Sequence, residues 1–223
     1  MHKIDFHCHT KYSKCSNLEP KQILQTCKAR GLRGVMICDH DTIKGVIAFR
    51  KILESEDDFI LIPGIEISTN RGEIIGAWIE ENPSTNEFPE VAEEIREQAG
   101  IVILPHPFDK MRSSAFKFRV EDLQYIDAVE VLNSRCIWPN GNERALKFAE
   151  KNSLLMSAGS DAHFASEIGT AWISFNGNSN EEVKRDFKNG KTNFGGKTAP
   201  FSLFFQMAAH RVRRTLKRSS ITS

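Results

Sequence analysis

Seven histidines occur in the chain, at positions 2, 7, 9, 40, 106, 163 and 210, and five of them fall where a hydrophobic run ends. IDFHCHT sets Asp5, His7 and His9 at alternate positions against Ile4, Phe6 and Cys8. Period-two alternation separates the two faces of a β-strand, and this polar face is made of metal-ligand types rather than Lys, Thr or Glu. His40 ends GVMICDH beside Asp39, His106 ends GIVILPH, and His163 follows Asp161 in GSDAH. Glu66 lies inside ILIPGIEIS and Glu130 inside AVEVLNS. Imidazoles and carboxylates together hold divalent ions while leaving positions open for water or substrate. An HxH alone is weak evidence, DH and HP carry almost nothing singly, and Glu66 alone reads as a satisfied buried carboxylate. Five histidines at one edge of a fold predict a metal site.

That shared edge follows from the order of elements. Strand-like runs occur as KIDFHCH, GVMICDH, ILIPGIEIS, EIIGAWI, GIVILPH, AVEVLNS, LLMSAGSD and TAWISF. Helical stretches lie between most of them: NLEPKQILQTCKARG with Asn17 as cap, DTIKGVIAFRKILESE, PEVAEEIREQAG, NGNERALKFAEKN and NSNEEVKRDFKNG. Strands alternating with helices predict an α/β fold with a largely parallel sheet, closed or nearly closed as a TIM-like barrel. Every strand of such a barrel ends at one face, so ligands distant in sequence converge there. TNRG alone separates ILIPGIEIS from EIIGAWI, a hairpin that breaks the strict alternation.

The 223 residues suit one domain, 1–223, without a repeat or linker. A formal charge of +1 gives no general pull towards nucleic acid or membrane. Five cysteines without a spacing pattern fit a reducing compartment, and Cys8, Cys27, Cys38 and Cys136 read as structural. No apolar run has the roughly 20 residues of a membrane span, and no signal peptide opens the chain, so a cytoplasmic protein is expected. Residues 199–223 join an apolar half to a basic half carrying Arg211, Arg213, Arg214, Lys217 and Arg218. This segment reads as a closing helix with a solvated end in preference to a nucleic-acid contact.

The succession HxH, DH, strand Glu, HP and DxH, from His7 to His163, resembles the PHP (polymerase and histidinol phosphatase) family of metal-dependent phosphoesterases. The resemblance implies a distorted seven-stranded barrel, which accommodates the hairpin, with two or three divalent ions (zinc, iron or manganese) at its mouth. It implies that His7, His9, Glu66 and Asp161 hold a first ion and that Glu66 bridges to a second, also bound by His106. His40 and His163 serve a third; Asp39 ligates or orients its neighbour, and Asp5 fixes a histidine tautomer from behind. Two departures stand out. TKYSKCSN follows HxH where many relatives carry His or Asp, so Cys15 is the nearest capable residue, either a thiolate favouring zinc or iron over manganese or a small buried side chain. GAWIEEN stands where some relatives carry a fourth-strand His, leaving Glu130, water or substrate for the second ion.

Adjacent divalent ions lower the pKa of a bridging water and clamp the charge developing on phosphoryl oxygens. The expected reaction is hydrolysis of a small phosphomonoester such as a nucleotide, a sugar phosphate or histidinol phosphate. Asp39 and His163 are candidates to assist the leaving group. Arg135, in LNSRC, is the first candidate to grip phosphate, ahead of Lys14, Lys110 and Arg112. The alternatives are a phosphodiesterase or nuclease, an amidohydrolase-type C–N hydrolase, and a non-catalytic module stabilised by metal.

Overall fold

All eight hydrophobic runs are strands in the computed structural model, which describes residues 1–54, 58–112, 114–136 and 140–198. In chain order the elements are β1 (His2–Cys8), α1 (Pro20–Ala29), β2 (Gly34–His40), α2 (Lys44–Leu53), β3 (Ile60–Thr69), β4 (Gly72–Ala77) and α3 (Phe88–Glu97). There follow β5 (Ile101–Leu104), β6 (Ala128–Asn133), α4 (Gly141–Lys151), β7 (Leu155–Gly159), β8 (Ala171–Phe175), α5 (Asn180–Lys188) and β9 (Asn193–Gly196). Helix α1 starts at Pro20 with Glu19 in the cap position, so Asn17 is not its cap. No helix of the described residues is long and apolar enough to cross a membrane. The basic segment 199–223 lies outside the described residues.

The strands form one sheet in the order β7-β6-β5-β4-β3-β2-β1-β8-β9, nine strands where seven were expected. The extra strands come from an antiparallel ribbon, β8 and β9, laid beside β1. Parallel pairing covers β1/β2, β2/β3, β5/β6 and β6/β7, while β4 runs antiparallel to both neighbours, as a TNRG hairpin requires. The sheet curls until its β7 end meets β1: His9 N donates to Ala162 O at 3.0 Å and Ala162 N to His7 O at 3.3 Å. The result is a nearly closed, distorted barrel.

Alternation along the strands separates a barrel interior from an outer helical coat. Ile4, Phe6, Met36, Cys38, Ile60, Ile62, Ile75, Ala77, Ile101, Ile103 and Ile173 fill the interior. On the outside, Val35 and Ile37 pack beneath α1 and α2, and Ile65, Ile74, Val102 and Val129 beneath α3 and α4. Helix α5 does not join this coat. Its Val183 and Phe187 enter the interior cluster, where Phe187 packs on Phe6 and Trp78 at centroid distances of 5.5 and 5.8 Å. The start of the barrel is thus plugged by aromatic packing, leaving the opposite mouth for polar groups.

Closure leaves no room where β7 crosses β1: a Cβ on Gly159 would stand 2.3 Å from His7 Cβ and 2.5 Å from His7 N. Overpacking of this kind costs about 1–3 kcal/mol, so Gly159→Ala should lower Tm by about 2–12 °C in calorimetry. An unchanged Tm would mean that the two strands are not in such close contact.

Candidate metal centre

The parity that fills the interior also carries ligands to its mouth. His40 continues the series Met36, Cys38 on β2, and Glu66 continues Ile60, Ile62 on β3. Glu73 shares parity with Ile75 and Ala77 on β4, and because β4 is antiparallel its first residues, not its last, reach the mouth. On β1 the alternation breaks. Ile4 and Phe6 face inward, yet Cys8 packs in the outer cluster, and a register shift lies between Asp5 and Cys8. This shift turns His7 inward together with His9 and leaves Asp5 elsewhere.

His7, His9, Glu66 and Asp161 are fully buried and converge. His9 Nε2 lies 3.1 Å from His7 Nε2, 3.2 Å from Glu66 Oε2 and 3.3 Å from Asp161 Oδ1. His7 Nε2 lies 3.4 Å from Glu66 Oε2 and 3.8 Å from Asp161 Oδ1. Donor atoms about 2.1 Å from one tetrahedral ion stand about 3.4 Å apart, so the spacing matches a shared cation. Despite these short distances, Glu66 Oε2 and Asp161 Oδ1 accept no hydrogen bond of good geometry among the described residues. Buried carboxylate oxygens without partners are costly, and a divalent ion is a charge that would satisfy both. The residues fit a metal.

Two further groups surround this one. His40, Glu66 and Glu73 offer converging donors, with His40 Nδ1 3.4 Å from Glu66 Oε2 and 3.8 Å from Glu73 Oε1. His106 Nε2 joins from β5, 3.0 Å from Glu66 Oε1 and 3.9 Å from Glu73 Oε2, so both Glu66 oxygens meet imidazoles. On the other side His9, Cys15, His40 and His163 bring one donor atom each to within 4.8 Å of one another. His7, His9, Cys15, His40, Glu66, His106, Asp161 and His163 therefore lie together. Glu73 is there as well, outside the pattern of strand C-termini because the antiparallel β4 brings its first residues to the mouth.

The residues behind the ligands differ from expectation. Asp5 fixes no imidazole; its carboxylate accepts from Ser160 N at 2.8 Å, Gly169 N at 2.7 Å and His7 N at 3.2 Å, tying β1 to the chain beyond β7. Burial pushes its carboxyl up to about 6 against those bonds. The partner of His7 is Glu130, whose Oε1 lies 3.0 Å from Nδ1, while Oε2 accepts from His106 N and from Asn133 Nδ2, each at 2.9 Å. Ser13 Oγ stands 3.3 Å from His9 Nδ1 and donates to Asp39 Oδ1 at 2.7 Å.

Asp39 is enclosed. Thr10 N donates to Oδ1 at 2.7 Å, Thr10 Oγ1 donates to Oδ2, and a Cβ on Gly45 would lie 1.8 Å from Oδ2. Its geometry is that of an anchor for the loop after β1, with no oxygen turned to a leaving group. Burial, with the charges of His9 and Arg135, pushes the pKa of His163 well below the ordinary value. His163 Nδ1 lies 2.8 Å from Asp161 O.

Charge in the cluster is balanced internally. Burial works against the charged form of His7, but Glu130, Asp161 and Glu66 hold its pKa well above the usual value. Burial also opposes the Asp161 carboxylate, which Arg112 and His7 nevertheless hold well below the ordinary range. Arg112 donates from Nη2 to Asp161 and from Nε to Asp109 Oδ2 at 3.1 Å, with Nη1 3.2 Å from His106 Nε2. Arg135 contacts His163 Nδ1 through Nη1 and places Nε 3.4 Å from Glu167 Oε1. Two guanidinium groups thus flank the histidines, Arg112 as close as the favoured Arg135. Lys14 and Lys110 are exposed.

The chain is similar to known proteins in sequence and in fold. A family described as PHP-associated matches residues 139–192. An uncharacterized protein of Methanocaldococcus jannaschii is 41% identical over 179 residues, covering 78% of this chain and 70% of that protein. A Haemophilus influenzae protein named 5'-3' exoribonuclease is 40% identical over 68 residues, 30% of this chain and 24% of that one. Among solved structures, a two-domain Bacteroides vulgatus protein containing a predicted PHP-like metal-dependent phosphoesterase superposes with a TM-score of 0.74 at 18% identity, over 88% of this chain. The chain spans 65% of that structure's length. An amidohydrolase from Chromobacterium violaceum shares the fold at a TM-score of 0.61 and 13% identity, over 84% of this chain and 96% of that one. The chain belongs to the PHP family.

Proposed function

We propose that the protein is a metal-dependent phosphoesterase acting on a small phosphomonoester. The observation that carries this reading is the meeting of two buried, unpartnered carboxylate oxygens, on Glu66 and Asp161, with the Nε2 atoms of His7 and His9. Divalent ions bound there supply a nucleophilic water of lowered pKa and neutralise charge on the phosphoryl oxygens. The chain's own residues orient and grip. Glu130 and Ser13 hold the rings of His7 and His9 by their second nitrogens, the arrangement that fixes tautomer and direction in metal sites. Arg112, braced by Asp109, and Arg135, beside Glu167, offer forked donors of the kind that recognise phosphate bidentately.

Metal-stripped protein resupplied with manganese, zinc or iron is expected to release phosphate from one class in a panel of phosphomonoesters. Ammonia or amine released without phosphate would replace this reading with C–N hydrolysis. Tight metal binding with no turnover of any kind would favour the non-catalytic module. Glu130→Gln should weaken metal binding about 10–100-fold, read by chelator competition, since it loosens His7 and His106 together. Arg135→Ala should lower kcat/KM about 100- to 1,000-fold with bound metal unchanged by elemental analysis. An unaltered kcat/KM would remove Arg135 from the phosphate contact.

One observation favours a phosphodiester substrate instead. Tyr12 is 40% exposed on the loop between His9 and Cys15, and Lys11 Nζ lies 5.7 Å from its ring centroid. An exposed ring beside a cation is suited to stacking a base, and the matched segment of the H. influenzae protein named 5'-3' exoribonuclease points the same way. Activity rising with oligonucleotide length, and falling in Tyr12→Ala, would establish this second reading; activity confined to mononucleotides or sugar phosphates would exclude it.

A further inference from the structure

We infer that Cys15 turns the outermost position of the cluster into a thiolate site, selective for a soft or borderline ion such as zinc, iron(II) or cobalt(II) over manganese or magnesium. The inference rests on the metal-cluster reading above and deepens it. Cys8, Cys27, Cys38 and Cys136 are buried, and Cys15 alone of the five cysteines is partly accessible. Its donor atom stands within 4.8 Å of donors from His9, His40 and His163. His9 Nε2 already serves the first group, so the thiolate site proper is Cys15, His40 and His163, with a fourth position open to water or substrate.

Two unpartnered buried oxygens border this position. Asp161 Oδ1 lies 3.5 Å from His163 Nδ1, and Glu66 Oε2 lies 3.4 Å from His40 Nδ1. The backbones of both histidines are held in place from outside the group. His163 N donates to Glu167 Oε2 at 2.7 Å, and His40 N donates to Ser13 Oγ at 2.9 Å. Ser16 Oγ, next to Cys15, lies 3.1 Å from His9 O and 3.4 Å from His163 O, so the loop carrying the thiol is tied to two of the histidine backbones.

Ion binding breaks the Cys15 S–H bond, forms a sulfur–metal bond and releases the proton to solvent. Thiolate with two imidazoles suits zinc, iron and cobalt, whereas manganese and magnesium prefer oxygen. A cluster whose inner positions are lined by carboxylates and whose outer position is lined by sulfur would hold unlike ions.

Cobalt(II) titration of the metal-stripped full chain tests this without reference to turnover. The wild type should develop a thiolate-to-cobalt charge-transfer band in the near ultraviolet, and bound cobalt or zinc, but not manganese, should protect Cys15 from iodoacetamide. Cys15→Ser should lose the band and one bound equivalent while retaining the inner ions. Cobalt bound without the band, or a band that survives in Cys15→Ser, would overturn the inference and leave the cluster reading standing. No cobalt bound at all would overturn both.

Discussion

Glu66 and Asp161 place fully buried negative charge at the bottom of the mouth, and most of the surrounding architecture serves to keep it there. A carboxylate in low dielectric either takes up a proton or finds a cation. Here the imidazoles of His7, His9 and His106 stand about Glu66 and the Arg112 guanidinium about Asp161, and against burial both carboxyls are held well below the ordinary range. Three of these groups are held from behind, His7 by Glu130, His9 by Ser13, and Arg112 by Asp109. A divalent ion would replace protons on His7 and His9, whose pKa values their carboxylate neighbours raise against burial, so metal uptake and proton release belong to one equilibrium.

The two ends of the barrel divide the work. At the start of the strands α5 closes the interior with Phe187 against Phe6 and Trp78, and Trp78 Nε1 donates to Asn180 Oδ1 at 2.7 Å, fixing the plug to the sheet. Apolar packing at that end can hold the fold whatever the mouth contains. The other end collects acids and histidines that would weaken a protein with nothing beneath them. Asp5 joins the ends: buried under β1, it fastens that strand to Ser160 and Gly169, next to the Asp161 ligand.

Much of this was legible in the residues. Among the described residues the eight apolar runs gave eight strands, and the five helical stretches gave five helices, because hydrophobic periodicity agreed with the tertiary packing. His40 and Glu66 could be placed by parity alone. Parity failed on β1, where the shift between Asp5 and Cys8 is a backbone irregularity with no sequence marker, and Asp5 was misassigned for that reason. Glu73 was overlooked although its signal was present: an acid in step with Ile75 and Ala77, on the return strand of a recognised hairpin. Asp39 looked like a mouth residue by position, and only the closeness of Thr10, Ser13 and Gly45 gives it a bracing role. Strand β9, NFGG, has too little apolar content to declare itself and pairs only because β8 offers an open edge.

Two of the candidate ligands carry a conformational cost. His106 and Asp161 both have positive φ, 31° and 55°, a region that non-glycine residues enter at about 1–3 kcal/mol. Such strain persists only where neighbours over-determine the backbone. For His106 the determinant is Glu130, which accepts from its N–H at 2.9 Å while its other oxygen meets the ring of His7 at 3.0 Å. For Asp161 it is the joint between β7 and β1, where Ala162 exchanges backbone hydrogen bonds with His7 and His9. In both cases the constraint that turns one ligand inward also acts on the HxH segment. The donors are therefore not independent side chains that happen to converge. They form one coupled unit whose geometry is set before any ion arrives, and a cation then meets donors whose ordering has already been offset by folding.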